Sequence, residues 1–211
     1  MMRAFAQKNN SRLHRDERGV TAVEFGLLLT PFLVMLMGAM DLGHQFYMRG
    51  VTQGALDDVS RRASVEEPNF IASGSTLEER IENTLKEQID NVAPKATYTI
   101  SQKNYFDFNG VGNPERLVTD IDGDGKFDNV DGDCWEDLNE NGVYDLDSGR
   151  VGVGGANDVT FYSVRVQLPR LFPTAELIGF SKTIDFTVET AVRNQPYANQ
   201  ATPPVLCGDG T

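Results

Sequence analysis

The chain has 211 residues, 40% apolar and 24% charged, enough for one membrane segment with a compact domain or for one large soluble domain. Its net charge of −12 argues against a nucleic-acid or anionic-lipid partner, since both select for Lys and Arg. Two cysteines make no disulfide framework, and two histidines make no zinc cluster.

The charge is unevenly placed. Residues 1–19 carry Arg3, Lys8, Arg12, Arg15 and Arg18 against Asp16 and Glu17, a net of +3. Residues 20–40, VTAVEFGLLLTPFLVMLMGAM, then hold a single charge, Glu24. At 1.5 Å per residue this run spans the roughly 30 Å core of a bilayer. A helix buried in a soluble core rarely stays apolar on every face for so long. The basic segment precedes the run and acids follow it, so residues 1–19 are expected in the cytoplasm and the bulk of the chain beyond the membrane. Phe46, Tyr47 and Arg49 suit the far interface. The run exceeds the apolar part of a cleaved secretory signal and lacks its A-x-A site. It continues instead into a stripe at Leu42, Phe46, Val51, Ala55, Val59 and Ala63, as if one helix left the membrane to line a domain.

Residues 18–25 read RGVTAVEF: a basic leader, Gly19, four residues, Glu24, then Phe25 ahead of a long apolar helix. This pattern resembles the processing site of type IV prepilins, which implies cleavage after Gly19 by a membrane-embedded prepilin peptidase. With the following LLLTPFL it resembles more narrowly the TadE-like pseudopilins of the tight-adherence (Flp) pilus system. The likeness resumes at residues 151–158 and 191–197, while residues 65–115 add little to it. It departs in one respect: mature pilins often begin with Phe or Met, and this one would begin with Val20. The resemblance implies a bacterial inner-membrane protein that works with other pilins, pseudopilins and assembly-platform proteins.

Glu24 has a physical logic beside the resemblance. A carboxylate in an apolar run costs about 2.5–3.5 kcal/mol at the bilayer centre and less near the interface. A cut after Gly19 creates a cationic amine on Val20, one helical turn away. Glu24 can then pair with its own amine or, as the resemblance implies, with that of a neighbouring subunit. Otherwise it snorkels to the interface. Pro31 removes one helical hydrogen bond and predicts a bend, tolerated where the freed carbonyl finds another partner, and Thr30 is adjacent to the proline.

Beyond the membrane, Ser75 and Glu78 form an expected capping box, opening a helix to about Asn91 with Leu77, Ile81, Leu85 and Ile89 on one face. Alternation follows at Tyr98 and Ile100, then Phe106 and Phe108. Clearer strands are expected over 159–168 and 183–192. Helices before strands imply an α+β fold: a transmembrane helix extending into an amphipathic one, a second helix, and a small antiparallel sheet. The expected organisation is leader 1–19, membrane helix 20–40, exported domain 41–195 and an extended tail 196–211.

Residues 119–148 hold eleven acids and one Lys. Within them Asp120, Asp122, Asp124, Gly125, Phe127 and Asp128 are echoed seventeen residues later by Asp137, Asn139, Asn141, Gly142, Tyr144 and Asp145. Each copy sets oxygen ligands at loop positions 1, 3, 5 and 9, Gly at 6 and an aromatic at 8, with Lys126 and Val143 at position 7. This is the spacing of a calcium loop, in which alternate side chains converge because Gly permits a sharp turn. Asp131 stands at position 12 of the first loop. The second has Ser148 there with Asp147 beside it, and is expected to bind more weakly. Only five residues separate the two loops, too few for the helices of an EF-hand pair or a dockerin. The expected cofactor is structural calcium, in a segment repelled open without it. A solvated acidic turn is the plainer alternative. Cys134 and Cys207 both fall on the exported side, where a disulfide could pin the tail to the loop; two free thiols is the alternative.

No G-x-S-x-G, H-E-x-x-H or phosphate-binding Gly loop is present, and His14 and His44 have no nucleophile to serve, so no enzyme is expected. The structural reading is a minor pseudopilin acting through helix packing. The alternative is an uncleaved, permanently anchored periplasmic calcium-dependent binding module or assembly-platform component.

Overall fold

The apolar run and the stretch behind it form one helix, α1 (Val20–Ala63), in the computed structural model, which describes residues 19–172, 176 and 179–210. The leader before Gly19, His14 included, lies outside the described residues. Val23, Leu27, Leu28, Phe32, Met35 and Met40 all stand exposed on α1. Among the described residues α1 is the one helix long and apolar enough to cross a membrane. Pro31 lies inside it and deprives the Leu27 carbonyl of its helical donor. Thr30 does not serve that carbonyl: its hydroxyl donates to Gly26 at 3.0 Å, one residue earlier.

The chain divides into two compact units, one comprising residues up to 44 with 170–182, the other residues 45–169 with 183–211. In the first, Asp41 is buried and its carboxylate accepts from the Arg170 guanidinium and from the Leu171 amide. Arg170 also donates to the Ser181 carbonyl at 2.8 Å and pairs its amide with Lys182.

The second unit is built on one core. Its helical face is Met48, Thr52, Ala55, Leu56, Val59, Ser60 and Ala63, all buried. The stripe expected from sequence is therefore wrong at its start: Leu42 and Phe46 are exposed and Val51 is half-buried. Steps of four or five drift around a helix of 3.6 residues per turn, and only alternating steps of three and four hold one face. Helix α2 (Leu77–Asp90) adds Ile81, Leu85 and Ile89. Its cap sits one residue later than expected. Thr76 is the N-cap and its hydroxyl accepts from Glu79, whose carboxylate accepts from the Ser75 amide at 2.7 Å and hydroxyl at 2.6 Å. Those Ser75 bonds hold the Glu79 carboxyl below its ordinary range. Thr76→Ala is expected to cost about 1 kcal/mol, read as a small drop in the thermal midpoint with unchanged helix content.

Both helices cover one face of an antiparallel sheet of order β4-β1-β5-β6, formed by β1 (Thr97–Tyr105), β4 (Arg150–Val151), β5 (Val159–Pro169) and β6 (Thr183–Arg193). Strict alternation buries Tyr162, Val164, Val166 and Leu168 on β5 and Ile184, Phe186 and Val188 on β6. Each fully buried aliphatic contributes roughly 1.5–3 kcal/mol. The fold is α+β, as the sequence implies. Alternation fails after Tyr105, because Asp107 caps a short 3-10 turn, Phe108–Gly110, in place of a strand. A second sheet of order β2-β3-β7 pairs β2 (Arg116–Thr119), β3 (Cys134–Glu136) and β7 (Val205–Cys207). Its strands are too short to announce themselves by periodicity. The C-terminal segment thus contributes a strand, and Cys134 faces Cys207 in register and is disulfide-bonded to it.

Candidate functional site

The acidic segment folds as two copies of one loop. In the first, the Asp120 carboxylate turns back to accept from the amides of Gly123 at 2.7 Å and Gly125 at 2.8 Å. In the second, Asp137 accepts from Asn141 at 3.1 Å and Gly142 at 2.8 Å. Position 6 needs positive φ in both copies, and Gly125 and Gly142 supply it at 76° and 81°. Position 4 is left-handed as well. There Gly123 has φ 75°, but the second copy places Glu140 at 58°, a conformation that costs a β-carbon about 1–2 kcal/mol.

Position 8 couples the copies. Phe127 and Tyr144 stack with centroids 4.5 Å apart, and Trp135 packs edge-on against both. The loops are therefore one paired unit around an aromatic centre, which the sequence repeat alone does not reveal.

Each loop is held from outside by a buried carboxylate. Asp133 accepts from the amides of Ile121 and Asp128, positions 2 and 9 of the first loop, both at 2.9 Å. Glu115 accepts from Leu138 at 2.8 Å, Asn139 at 3.3 Å and Asp145 at 3.1 Å, positions 2, 3 and 9 of the second. Asp133 is 1% exposed and Glu115 2%. Burial pushes the Glu115 carboxyl above its ordinary range, with its three amide donors pulling the other way. Sequence reasoning missed both braces. Asp133 follows its loop and Glu115 precedes its own by more than twenty residues, so no shared spacing marks them.

The centres of the loops differ. In the first, the carboxylates of Asp120, Asp122 and Asp124 gather within 4.8 Å of one another. Asp131 lies close enough to feel Asp128, Asp122, Asp133 and Asp124; partial desolvation and then these charges push its carboxyl up. Hydrogen bonds from Gly125 above all hold Asp120 low. In the second, amides stand where the first has acids. Asn139 Nδ2 and Asn141 Nδ2 both donate to Asp145 Oδ2, at 2.8 and 2.5 Å. Lys126 and Val143 donate their amides to Asp124 and Asn141, at 2.8 Å each, in matching turns. Asp147 is engaged elsewhere. Burial opposes its ionised form, but Lys103 Nζ at 2.6 Å and the Tyr105 hydroxyl hold its carboxyl low, and Ser148 bonds the Gly110 carbonyl.

The four residues of the expected processing site sit near the other end of the chain. Gly19 immediately precedes α1, and Val20, Glu24 and Phe25 are exposed on its first turns. Nothing in the described residues covers Glu24, so its carboxylate is available to a cation supplied by the lipid interface or by another chain.

Residues 19–61 match the family model described as TadE-like protein, the family of the tight-adherence pilus system. The match opens at Gly19 and covers α1 nearly to its end. Residues 151–158 and 191–197 lie outside it. No curated protein and no solved structure matches the chain.

Proposed function

We propose that this TadE-like protein is a minor pseudopilin, a structural component of a tight-adherence pilus system, anchored by α1 and cut after Gly19. The carrying observation is that the family match begins at Gly19 and runs through the exposed apolar helix. Its partners are a prepilin peptidase, membrane lipid, and other pilins and assembly-platform proteins. Its place is the bacterial inner membrane, with residues 1–19 cytoplasmic and the sheet-bearing unit periplasmic. Assembly proceeds by helix packing, with Glu24 pairing the α-amine that cleavage creates on Val20 of its own or a neighbouring subunit.

Calcium orders the acidic segment on this reading. Three carboxylates within 4.8 Å repel one another and favour a hard cation with oxygen ligands. The donor set fits calcium: Asp120, Asp122, Asp124, Asp128 and Asp131 offer only oxygens. The second loop, with two amides already donating into its centre, is the weaker site. Affinities of about 10⁻⁴–10⁻³ M are typical of extracellular loops, so calcium loads after export. A second reading keeps the chain uncleaved, as an anchored calcium-dependent binding module. The paired loop unit, outside the family match, favours it.

The deciding experiment is the intact mass and N-terminal residue of the cellular protein with and without a prepilin peptidase. A chain that begins at Val20 only when the peptidase is present is the expected result. A chain that keeps residues 1–19 in both strains overturns the pseudopilin reading and leaves the anchored module.

A further inference from the structure

The segment joining β5 to β6 belongs to the same compact unit as the first half of α1. It is clamped there at one point. Asp41 accepts from the Arg170 guanidinium and the Leu171 amide, while Arg170 itself donates to the Ser181 carbonyl, so Arg170 ties the two ends of the segment to each other and to Asp41. The pair is well covered, with side chains 7% and 18% exposed.

Asp41 directly follows Met40, the last residue of the apolar run, and one residue advances a helix only about 1.5 Å. Between Pro31 and Met40 only Met37 and Gly38 are half-buried. They lie four and three residues before Asp41, on its own face. The clamped segment nevertheless presents large apolar side chains outward: Leu171 is 52% exposed and Phe180 62%. Lys182 extends beside them, 78% exposed, with its Nζ paired to the Glu176 carboxylate at 2.8 Å.

We infer that Leu171 and Phe180, near the two ends of this connection, are an interfacial anchor, inserted into the phospholipid bilayer around the end of the apolar run of α1. The inference rests on the membrane reading of α1. Lipid is the occupant because the clamp fixes these side chains at the boundary of the lipid-facing run. Exposed apolar and aromatic side chains at the edge of an apolar span suit the interfacial plane. The clamp restrains the angle at which α1 leaves the membrane, since tilting it would pull Phe180 out of lipid.

The test uses the full chain in phosphatidylcholine liposomes, with the environment-sensitive fluorophore NBD on one introduced cysteine. The native pair Cys134 and Cys207 is disulfide-bonded and does not compete for the label. Labels are placed by Phe180→Cys, by Val34→Cys within the run, and by Arg61→Cys at an exposed site near the end of α1. Dithionite should reduce the Phe180→Cys label roughly ten-fold more slowly than the Arg61→Cys label, as for a group 5–10 Å deep. Lipid spin-labelled near the headgroup should quench it. A Phe180→Cys label as accessible as the Arg61→Cys label, with the Val34→Cys label protected, overturns the anchor and leaves the membrane helix standing. Protection without quenching by the spin-labelled lipid also overturns it and assigns the cover to a second copy of the chain. Accessibility at Val34→Cys as well overturns the membrane reading itself.

Discussion

Glu115→Ala should lower the stability of the sheet-bearing unit by about 3 kcal/mol or more, because one side chain serves three amides of the second loop. Each buried donor left without an acceptor costs roughly 1–3 kcal/mol, and water repairs only part of that. Glu115→Gln separates charge from geometry. Its single oxygen can still serve Leu138 and Asn139, but its NH₂ meets the Asp145 amide, donor against donor, so about half the loss is expected. Urea denaturation monitored by Trp135, the sole tryptophan and part of the aromatic centre, reads both variants. A Glu115→Ala variant within 0.5 kcal/mol of the wild type, the scatter of an ordinary surface substitution, would remove the brace from the account.

The pH dependence of that pair has a definite sign. Burial raises the Glu115 carboxyl above its ordinary 4.5 in the folded state. A raised carboxyl contributes stability that is fully present below its unfolded value and is lost as pH climbs through the folded one. The wild type should therefore lose ground to Glu115→Gln as pH rises from about 4.5 toward neutrality. A difference that grows in the wild type's favour contradicts the assignment.

These braces also mark how far the residues alone could be read. Periodicity found α2, β5 and β6, because each buries a single face against a single core and the burial rule dictates the pattern directly. The loop copies were legible for the same kind of reason: Gly125 and Gly142 are forced by positive φ, and Asp120 and Asp137 by the turns they cap. Glu115 and Asp133 were not legible. A buried carboxylate that binds amides from another stretch of chain has no periodicity, and in a chain with 31 acids it looks like any other. The small second sheet was missed because strands of three or four residues carry no alternation. The start of the α1 core face was misplaced because the exposed run and the core-facing stretch are both apolar. Burial in protein and exposure to lipid select the same residues, and on α1 the residues that are polar yet buried, Asp41, Thr52 and Ser60, mark where one gives way to the other.

Calcium at 10 mM should raise the thermal midpoint of the full chain by about 3–10 °C. With affinities near 10⁻⁴–10⁻³ M, one occupied loop gains about 1.4–2.7 kcal/mol by mass action, and each kcal/mol is worth roughly 2–4 °C at this size. The gain should belong to the first loop, where three carboxylates crowd within 4.8 Å. Asp122→Asn combined with Asp124→Asn gives that loop the amide pair the second already has. Two consequences should then appear together. The midpoint without calcium rises, because Asn side chains donate to Asp128 as Asn139 and Asn141 donate to Asp145, and the mutual repulsion is gone. The calcium shift falls to the small remainder the second loop supplies. Asp137→Ala should leave most of the shift intact. Neither result follows from general screening, since magnesium at equal ionic strength screens as well but demands a tighter octahedron and keeps its waters. If magnesium gives an equal shift, or the double Asn variant keeps the full calcium response, the acidic segment is a solvated turn held by its amides and its two braces.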